Sequence, residues 1–477
     1  MNRRQLEKLK SYSKPSSGIT PTIELSGMPP VEKPQTPVLT SEQRAQRLKN
    51  LYNKRIKPPA APPVDAANPD GAIRVNNPLD RYKKTTRPSA KSSAASAVTA
   101  ANRGPSYIIF SNSFGYGGAD TWMYHAYNYL KTRGRVYIWN IRKSESVGKS
   151  HYEKDDIIED LTIVQLQDFI KTHNITYIII NNVTIVENPH IFKLWKAAGK
   201  KIITVSHTDW NYFNSKLQLY SQEIYRAIVT NHHSLQKFRN KLKGLAERDV
   251  IKVLKNCVAT DKYEKKEYAT KTIAYIGRVT DDKNVRVLVH AFRKLIKTHP
   301  TEDWCQDLKL YIIGSGSGLS KVAFDVEKMR LESKVVFKGM QEKHSLTKYY
   351  SMMDYLVLPS ISEGCSFTIL ESMAHGTPVI ASNIPANREI GFRDDLLFNI
   401  EGYESPESLF TEDYSEIIQK VSAATTFNQT VDNLVDTLKI HLSKPEDEYL
   451  KISHTSYEFV KDNYSVEKFN TALGEIL

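Results

Sequence analysis

Residues 359–382 read PSISEGCSFTILESMAHGTPVIAS, and the fold is decided here. Two short apolar runs bracket the stretch, Tyr355 to Leu358 ahead of it and Pro378 to Ala381 near its end. Each has strand length and turn residues beside it, the pattern of a strand buried on both faces. A Ser/Gly loop and a helical segment lie between them, so the unit reads strand, loop, helix, strand. Glu363 falls in the loop and Glu371 in the first turns of the helix, with seven residues between them. One carboxylate can accept two hydroxyl hydrogen bonds at once, which suits the vicinal diol of a ribose or a hexose. Taken alone, the same pair is also what a surface acid and a dipole-stabilised helix acid look like.

The same alternation extends in both directions. Upstream, Thr272 to Ile276, Leu308 to Ile313 and Val335 to Phe337 read as strands. Lys283 to Thr298 reads as a helix with Val287, Leu288, Ala291, Phe292 and Leu295 on one side. Further upstream the pattern has already run once. Tyr107 to Phe110, Val136 to Ile141, Tyr177 to Ile180, Lys201 to Val205 and Ala227 to Val229 are strands. Thr121 to Thr132, Leu161 to His173 and Pro189 to Ala198 are helices. Two successive βα series predict two α/β domains, each with a parallel sheet, and Tyr457 to Leu477 reads as a terminal amphipathic helix. The expected division is 1–103 as a tail, 104–262 and 263–455 as the two domains, and 456–477 as the last helix.

In an open α/β sheet, ligands bind outside the carboxyl ends of the strands, so the loops there carry the chemistry. Gly115 to Gly118 follows the first strand and opens a helix, where Gly117 and Gly118 let backbone approach an anion. Its spacing is not the dinucleotide fingerprint GxGxxG. Gly277-Arg278 with Lys283-Asn284 sets two cations between a strand and a helix. A cation at a helix start opposes the dipole, which points Lys283 at an anion, and Asp281-Asp282 is expected to cap that helix. Gly314-Ser315-Gly316 ends a further strand. Each of these three loops, seen alone, also fits an ordinary tight or charged turn.

Composition narrows the partners. The 477 residues carry a net charge of +13, and residues 1–103 hold +12 of it along with 13 of the 21 prolines. That tail is Pro/Ser/Ala-rich and is expected to be disordered, with an anionic partner as one reading of its charge and a solvated linker as another. Within it, Ser41 to Lys57 has the makings of a short basic helix. The near-neutral body gives no support for a duplex-binding surface. Cys257, Cys365 and Cys305 are an odd, widely spaced set that fits neither a disulfide framework nor a zinc site. No run reaches the ~18 apolar residues that span a bilayer. The start of the chain is too charged for a signal peptide. A cytoplasmic protein, peripheral to a membrane at most, is expected.

Glu363 to Glu371 with the run Met373-Ala374-His375-Gly376-Thr377-Pro378-Val379 resembles the E-x7-E signature of the retaining GT-B glycosyltransferases of family 4, glycosyl transferases group 1. Gly277-Arg278 with Lys283 resembles that family's GR-x4-K loop, and Gly115 to Gly118 its N-terminal glycine loop. The likeness is specific over about 270–392, looser over 105–268 and absent over 1–103. It implies the α/β GT-B fold, two Rossmann-like parallel-sheet domains facing a cleft with the donor bound mainly by the second, and the last helix crossing back to the first. It implies that a UDP- or GDP-sugar is bound as substrate, with no cofactor and no metal, and that a hydroxyl of a glycan, lipid-linked sugar, protein or other acceptor takes the sugar. By position, Glu371 would hold the ribose hydroxyls, Glu363 the donor sugar, and Arg278 and Lys283 the diphosphate. His207 would sit near the donor sugar. Gly117, Gly118, Gly314, Gly316, Gly364, Ser366 and Phe367 would complete the donor site. The sequence departs from the family at Cys257 and Ala259, at Asp120 where Glu is frequent, and at Ser366 where Gly is common. An epimerase, a phosphorylase, or an inactive GT-B module acting as a scaffold through its tail are the rival readings.

Overall fold

The structure, a computed structural model, describes residues 104–477 except 112–113, 116, 141–146, 160, 182–188, 208–216, 262–271, 392 and 404–413. The expected disordered tail over 1–103, with its short basic helix, lies outside the described residues.

Strands β1 (Ser106–Ser111), β2 (Arg135–Asn140), β3 (Ile157–Ile158), β4 (Ile175–Asn181), β5 (Lys201–Ser206), β6 (Ile224–Val229) and β7 (Ile251–Val253) form one sheet. Their order is β3-β2-β1-β4-β5-β6-β7, and every pair is parallel. Side chains alternate between the faces with the strand period of two. Ile108, Phe110, Ile178, Ile180 and Ile202 meet helices α2 (Ile163–Thr172), α3 (Pro189–Ala197) and α4 (His232–Lys241). Tyr107, Ile109, Tyr177, Ile179 and Ile203 meet α1 (Gly118–Lys131). Both faces are therefore covered, which is why the strands are apolar throughout.

The second sheet holds β8 (Thr272–Ile276), β9 (Lys309–Ile313), β10 (Val335–Gly339), β11 (Tyr355–Leu358), β12 (Val379–Ser382) and β13 (Leu397–Phe398). Its order, β10-β9-β8-β11-β12-β13, repeats the winding of the first sheet, again with parallel pairs. Around it lie α5 (Val285–Thr298), α6 (Leu319–Lys328), α7 (Lys343–Met352), α8 (Phe367–Ala374), α9 (Pro385–Ile390), α10 (Tyr414–Ser422) and α11 (Ala424–Leu442). In each sheet the winding reverses direction beside one central pair, β1 with β4 and β8 with β11. A crevice opens at such a point, so these four strand ends are where a ligand site belongs.

Some local expectations change. Tyr457 to Leu477 is not one helix: α12 (Glu446–Asn463) ends, and α13 (Val466–Ile476) starts anew. The break falls where the chain runs beside Val258, whose N–H bonds the Tyr464 carbonyl at 2.9 Å, and Ser465 caps the new helix at Lys468 N–H. Helix α13 then lays Phe469, Leu473 and Ile476 onto the first domain's core. Strand β6 starts three residues before the apolar run, pairing Ile224 with Ile202 and Arg226 with Ile203 of β5, and the Arg226 guanidinium lies 4.4 Å from the Tyr225 ring centre. The helix after Lys283 starts at Val285, behind Asn284 in the left-handed region at φ 50°. Asp281 and Asp282 therefore do not cap it. Asp281 pairs with Lys321 at 3.1 Å, and Asp282 accepts from the Thr280 hydroxyl.

Phe292 is fully buried between the second sheet and its helices. Phe292→Ala should cost about 3–5 kcal/mol through lost burial and the cavity left behind. Urea denaturation checks this, and a loss under about 1 kcal/mol would mean the site collapses around the void.

Candidate functional site

The floor of the site is built by close backbone contact. Val279 N–H bonds the Ser315 carbonyl at 2.9 Å, and Gly277 N–H bonds the Ile313 carbonyl at 3.0 Å. Gly314 sits at φ 134°, and a Cβ there would lie 1.8 Å from the Gly277 carbonyl oxygen. A Cβ on Gly316 would lie 2.4 Å from the Val279 oxygen. These two glycines thus let the β8 and β9 loops touch. The β11 loop joins the same platform, since Ile361 N–H bonds the Asp282 carbonyl at 2.8 Å.

On this platform the charged residues come together. Lys283 Nζ lies 2.8 Å from Glu363 Oε1 and 3.2 Å from the Ser362 carbonyl. Asp282 lies between the two cations, 3.6 Å from Lys283 and 3.9 Å from Arg278. The Arg278 side chain is 71% exposed, so its planar fork is available to a ligand. Glu371, in α8, accepts from the Tyr350 hydroxyl at 3.0 Å through one oxygen. Its other oxygen is 3.4 Å from Lys343 Nζ. Burial and the nearby Glu371 charge push the Tyr350 phenol well above its ordinary range, so it stays a donor.

The first domain forms the facing wall. Gly117 caps α1, and its N–H bonds Asp120 at 3.2 Å, which gives the departure at Asp120 a local task. A Cβ on Gly118 would lie 3.2 Å from the Phe367 ring. Phe367 belongs to the second domain but is buried in the first domain's core, so these two residues pack against each other across the cleft. Gly364 is equally close: its Cβ would lie 2.4 Å from the His207 carbonyl oxygen. Asn231 donates to the Gly364 carbonyl at 2.6 Å and Asn256 to the Cys365 carbonyl at 2.5 Å. Ser366 is buried at the N-cap of α8. Burial pushes the Cys365 thiol up to about 12, so it remains protonated.

His207 follows β5 directly and Asn181 ends β4. Asn181 donates its amide to the Ala119 carbonyl at 3.1 Å, which leaves its oxygen facing His207 Nε2 at 2.6 Å. Nε2 must then carry the proton and Nδ1 the lone pair. Burial lowers the His207 pKa to about 3, so the ring is neutral at pH 7. Nδ1 is buried and without a hydrogen-bond partner among the described residues. His125 is likewise lowered to about 3, by burial first and then by the Lys343 charge.

Of the residues singled out from the sequence, Arg278, Lys283, Gly314, Gly316 and Glu363 come together on the platform, Gly117, Gly118, His207, Gly364, Ser366 and Phe367 lie where the two domains touch, and Glu371 stands in α8. Sequence reasoning missed Lys343, Tyr350, Asn181 and Asn231. Lys343 carried a usable signal, a cation at the first position of a helix, as Lys283 was read. The others are ordinary polar residues until the fold places them. Among the described residues, no group of three or more His, Cys, Asp or Glu side chains is placed to hold a metal ion. No helix among them is long and apolar enough to cross a membrane.

Residues 270–411, which carry this platform, match the family model described as glycosyl transferases group 1. This region is a glycosyl transferases group 1 domain. A glycosyltransferase of Methanocaldococcus jannaschii is 33% identical over 120 residues, 25% of this chain and 29% of that protein. The alpha-monoglucosyldiacylglycerol synthase of Streptococcus pneumoniae is 32% identical over 115 residues, 24% of this chain and 25% of that protein. The chain thus matches less than a third of these relatives' length. Anabaena HepE, solved with UDP and glucose, superimposes with a TM-score of 0.58 over 77% of this chain and 98% of its own, at 13% identity. The pneumococcal O-GlcNAc transferase GtfA, solved with UDP and GlcNAc, gives 0.58 over 78% and 98%, at 11% identity. At such identities these likenesses carry the fold: the group 1 domain and the sheet before it form a GT-B pair facing a cleft.

Gly314→Ala should force the two glycine loops apart and cost about 2 kcal/mol or more, read as a lower denaturation midpoint. The His207 ring binds its proton less readily folded than unfolded, between about pH 6.5 and 3. Folding stability therefore falls as pH drops through that window, by at most about 1.4 kcal/mol per pH unit for one ring. His207→Gln should flatten the acid limb of the thermal midpoint between about pH 6.5 and 4. An unchanged slope would show that the ring is not held neutral.

Proposed function

We propose that the protein is a glycosyltransferase that moves a sugar from a nucleoside-diphosphate donor to an acceptor hydroxyl. The observation that carries this is the joining of Lys283 to Glu363, with Arg278 beside them across Asp282, at the carboxyl ends of β8 and β11, while Glu371 stands in the helix that follows the same β11 loop. Such a cluster pairs hydroxyl acceptors with phosphate-binding cations within one cleft. The group 1 match and the UDP-bound neighbours of the same fold support the reading.

In this scheme Glu371 accepts the ribose hydroxyls, and Glu363 accepts hydroxyls of the donor sugar. Arg278 and Lys283 face the diphosphate. As the glycosidic bond to the diphosphate oxygen breaks, negative charge grows on the leaving group, and these two cations stabilise it in place of a metal. Preorganised groups of this kind contribute roughly 3–4 kcal/mol each to the transition state. The bare Nδ1 of His207 is an acceptor for a further sugar hydroxyl. The donor is a UDP- or GDP-sugar, and transfer proceeds with retention at the anomeric carbon. The acceptor is a hydroxyl of a glycan, a lipid-linked sugar or a protein.

Incubating the protein with UDP-, GDP-, ADP- and TDP-sugars and measuring released nucleotide tests the scheme. One donor should be hydrolysed slowly. Arg278→Ala should lower its kcat about 10²- to 10³-fold, and Glu371→Ala should chiefly raise KM. Silence across the panel, with no nucleoside diphosphate bound by calorimetry, would overturn it.

A further inference from the structure

Lys343 is the first residue of α7, where the helix dipole disfavours a cation. Its position is explained by two partners on opposite sides of the cleft. Nζ lies 3.4 Å from Glu371 Oε1 in the second domain and 3.1 Å from Thr121 Oγ1 in α1 of the first. Glu371 Oε2 is held at 3.0 Å by Tyr350, which is buried and fixed by its packing. A carboxylate has about four lone-pair sites. Two donors leave it two more, enough for the two hydroxyls of one ribose. Tyr350 and Lys343 together allow the Glu371 side chain, 16% exposed, little freedom to turn.

We propose that Lys343 is a positioning residue for nucleotide binding. It holds Glu371 oriented for a ribose diol and ties that carboxylate to Thr121 of the opposite domain. The donor site is then complete only when the two walls stand together. The inference rests on the assignment of the ribose to Glu371 made above. A lysine that merely occupied Oε1 would have to leave before a ribose could bind, and its removal would strengthen binding. The two roles thus differ in sign.

The test is calorimetric titration of the full chain with UDP and with GDP, for the parent, Lys343→Met, Lys343→Arg, Thr121→Val and the Lys343→Met/Thr121→Val pair. Lys343→Met should weaken binding about tenfold, the size of one charge-assisted hydrogen bond. Lys343→Arg should recover most of that loss. Thr121→Val should cost less, about threefold, and should add nothing to Lys343→Met, since the bridge is already gone. In donor hydrolysis Lys343→Met should raise KM more than it lowers kcat, a split that a general loss of stability would not produce. Binding by Lys343→Met as tight as the parent's, or tighter, overturns the proposal while leaving Glu371 as the ribose ligand. A parent that binds neither UDP nor GDP removes the Glu371 assignment and this proposal with it.

Discussion

Two asparagine amides of the first domain, Asn231 and Asn256, hold two consecutive backbone carbonyls of the second, Gly364 and Cys365. Both bonds are buried, so breaking either would leave a desolvated carbonyl without a donor, at about 1–3 kcal/mol. The grip also demands that residue 364 lack a side chain, because the His207 carbonyl already fills the space. Everything else in the cleft is referred to this join. It fixes the loop that carries Glu363, starts the helix that carries Glu371, and brings the Phe367 ring down on Gly118. The domains therefore meet at the loop that the chemistry depends on.

The charges follow from that closeness. Each of the two carboxylates has its own lysine, Glu363 with Lys283 and Glu371 with Lys343. The lysines offset the repulsion between these acids and a bound polyanion. The His207 ring adds no charge of its own, since burial keeps it neutral at pH 7, and His125 near Lys343 is held neutral in the same way. With Asp282 between Lys283 and Arg278, three acids face three cations, and the exposed Arg278 is the cation a diphosphate would meet first.

Much of this was legible in the residues. Strand patterns such as Tyr107-Ile108-Ile109-Phe110 have one physical reading, because continuous apolar runs of that length fit a sheet covered on both faces. The spacing of Glu363 and Glu371 was enough to set both at one strand end. What could not be read arises from contacts distant in sequence. Asn231 is 133 residues from Gly364, and no local pattern marks it as a clamp. The helix break at Tyr464 was hidden because Tyr457 to Leu477 keeps its periodicity, while the interruption is imposed by Val258. Asp281 and Asp282 looked like a helix cap because carboxylates suit a helix start, yet the left-handed turn at Asn284 moved that start beyond their reach.

The path of the last helix has a consequence for synthesis. Residues Phe469, Leu473 and Ile476 complete one face of a sheet whose final strand ends at Val253. During translation at about 5–20 residues per second, that face waits roughly 10–45 seconds for its cover. Until then Trp122 and its neighbours have no α13 above them, and the first domain is an unfinished core beside a growing second one. A nascent chain of this protein passes through a stage when one face of its first sheet stands open, and the residues of α13 bring that exposure to an end.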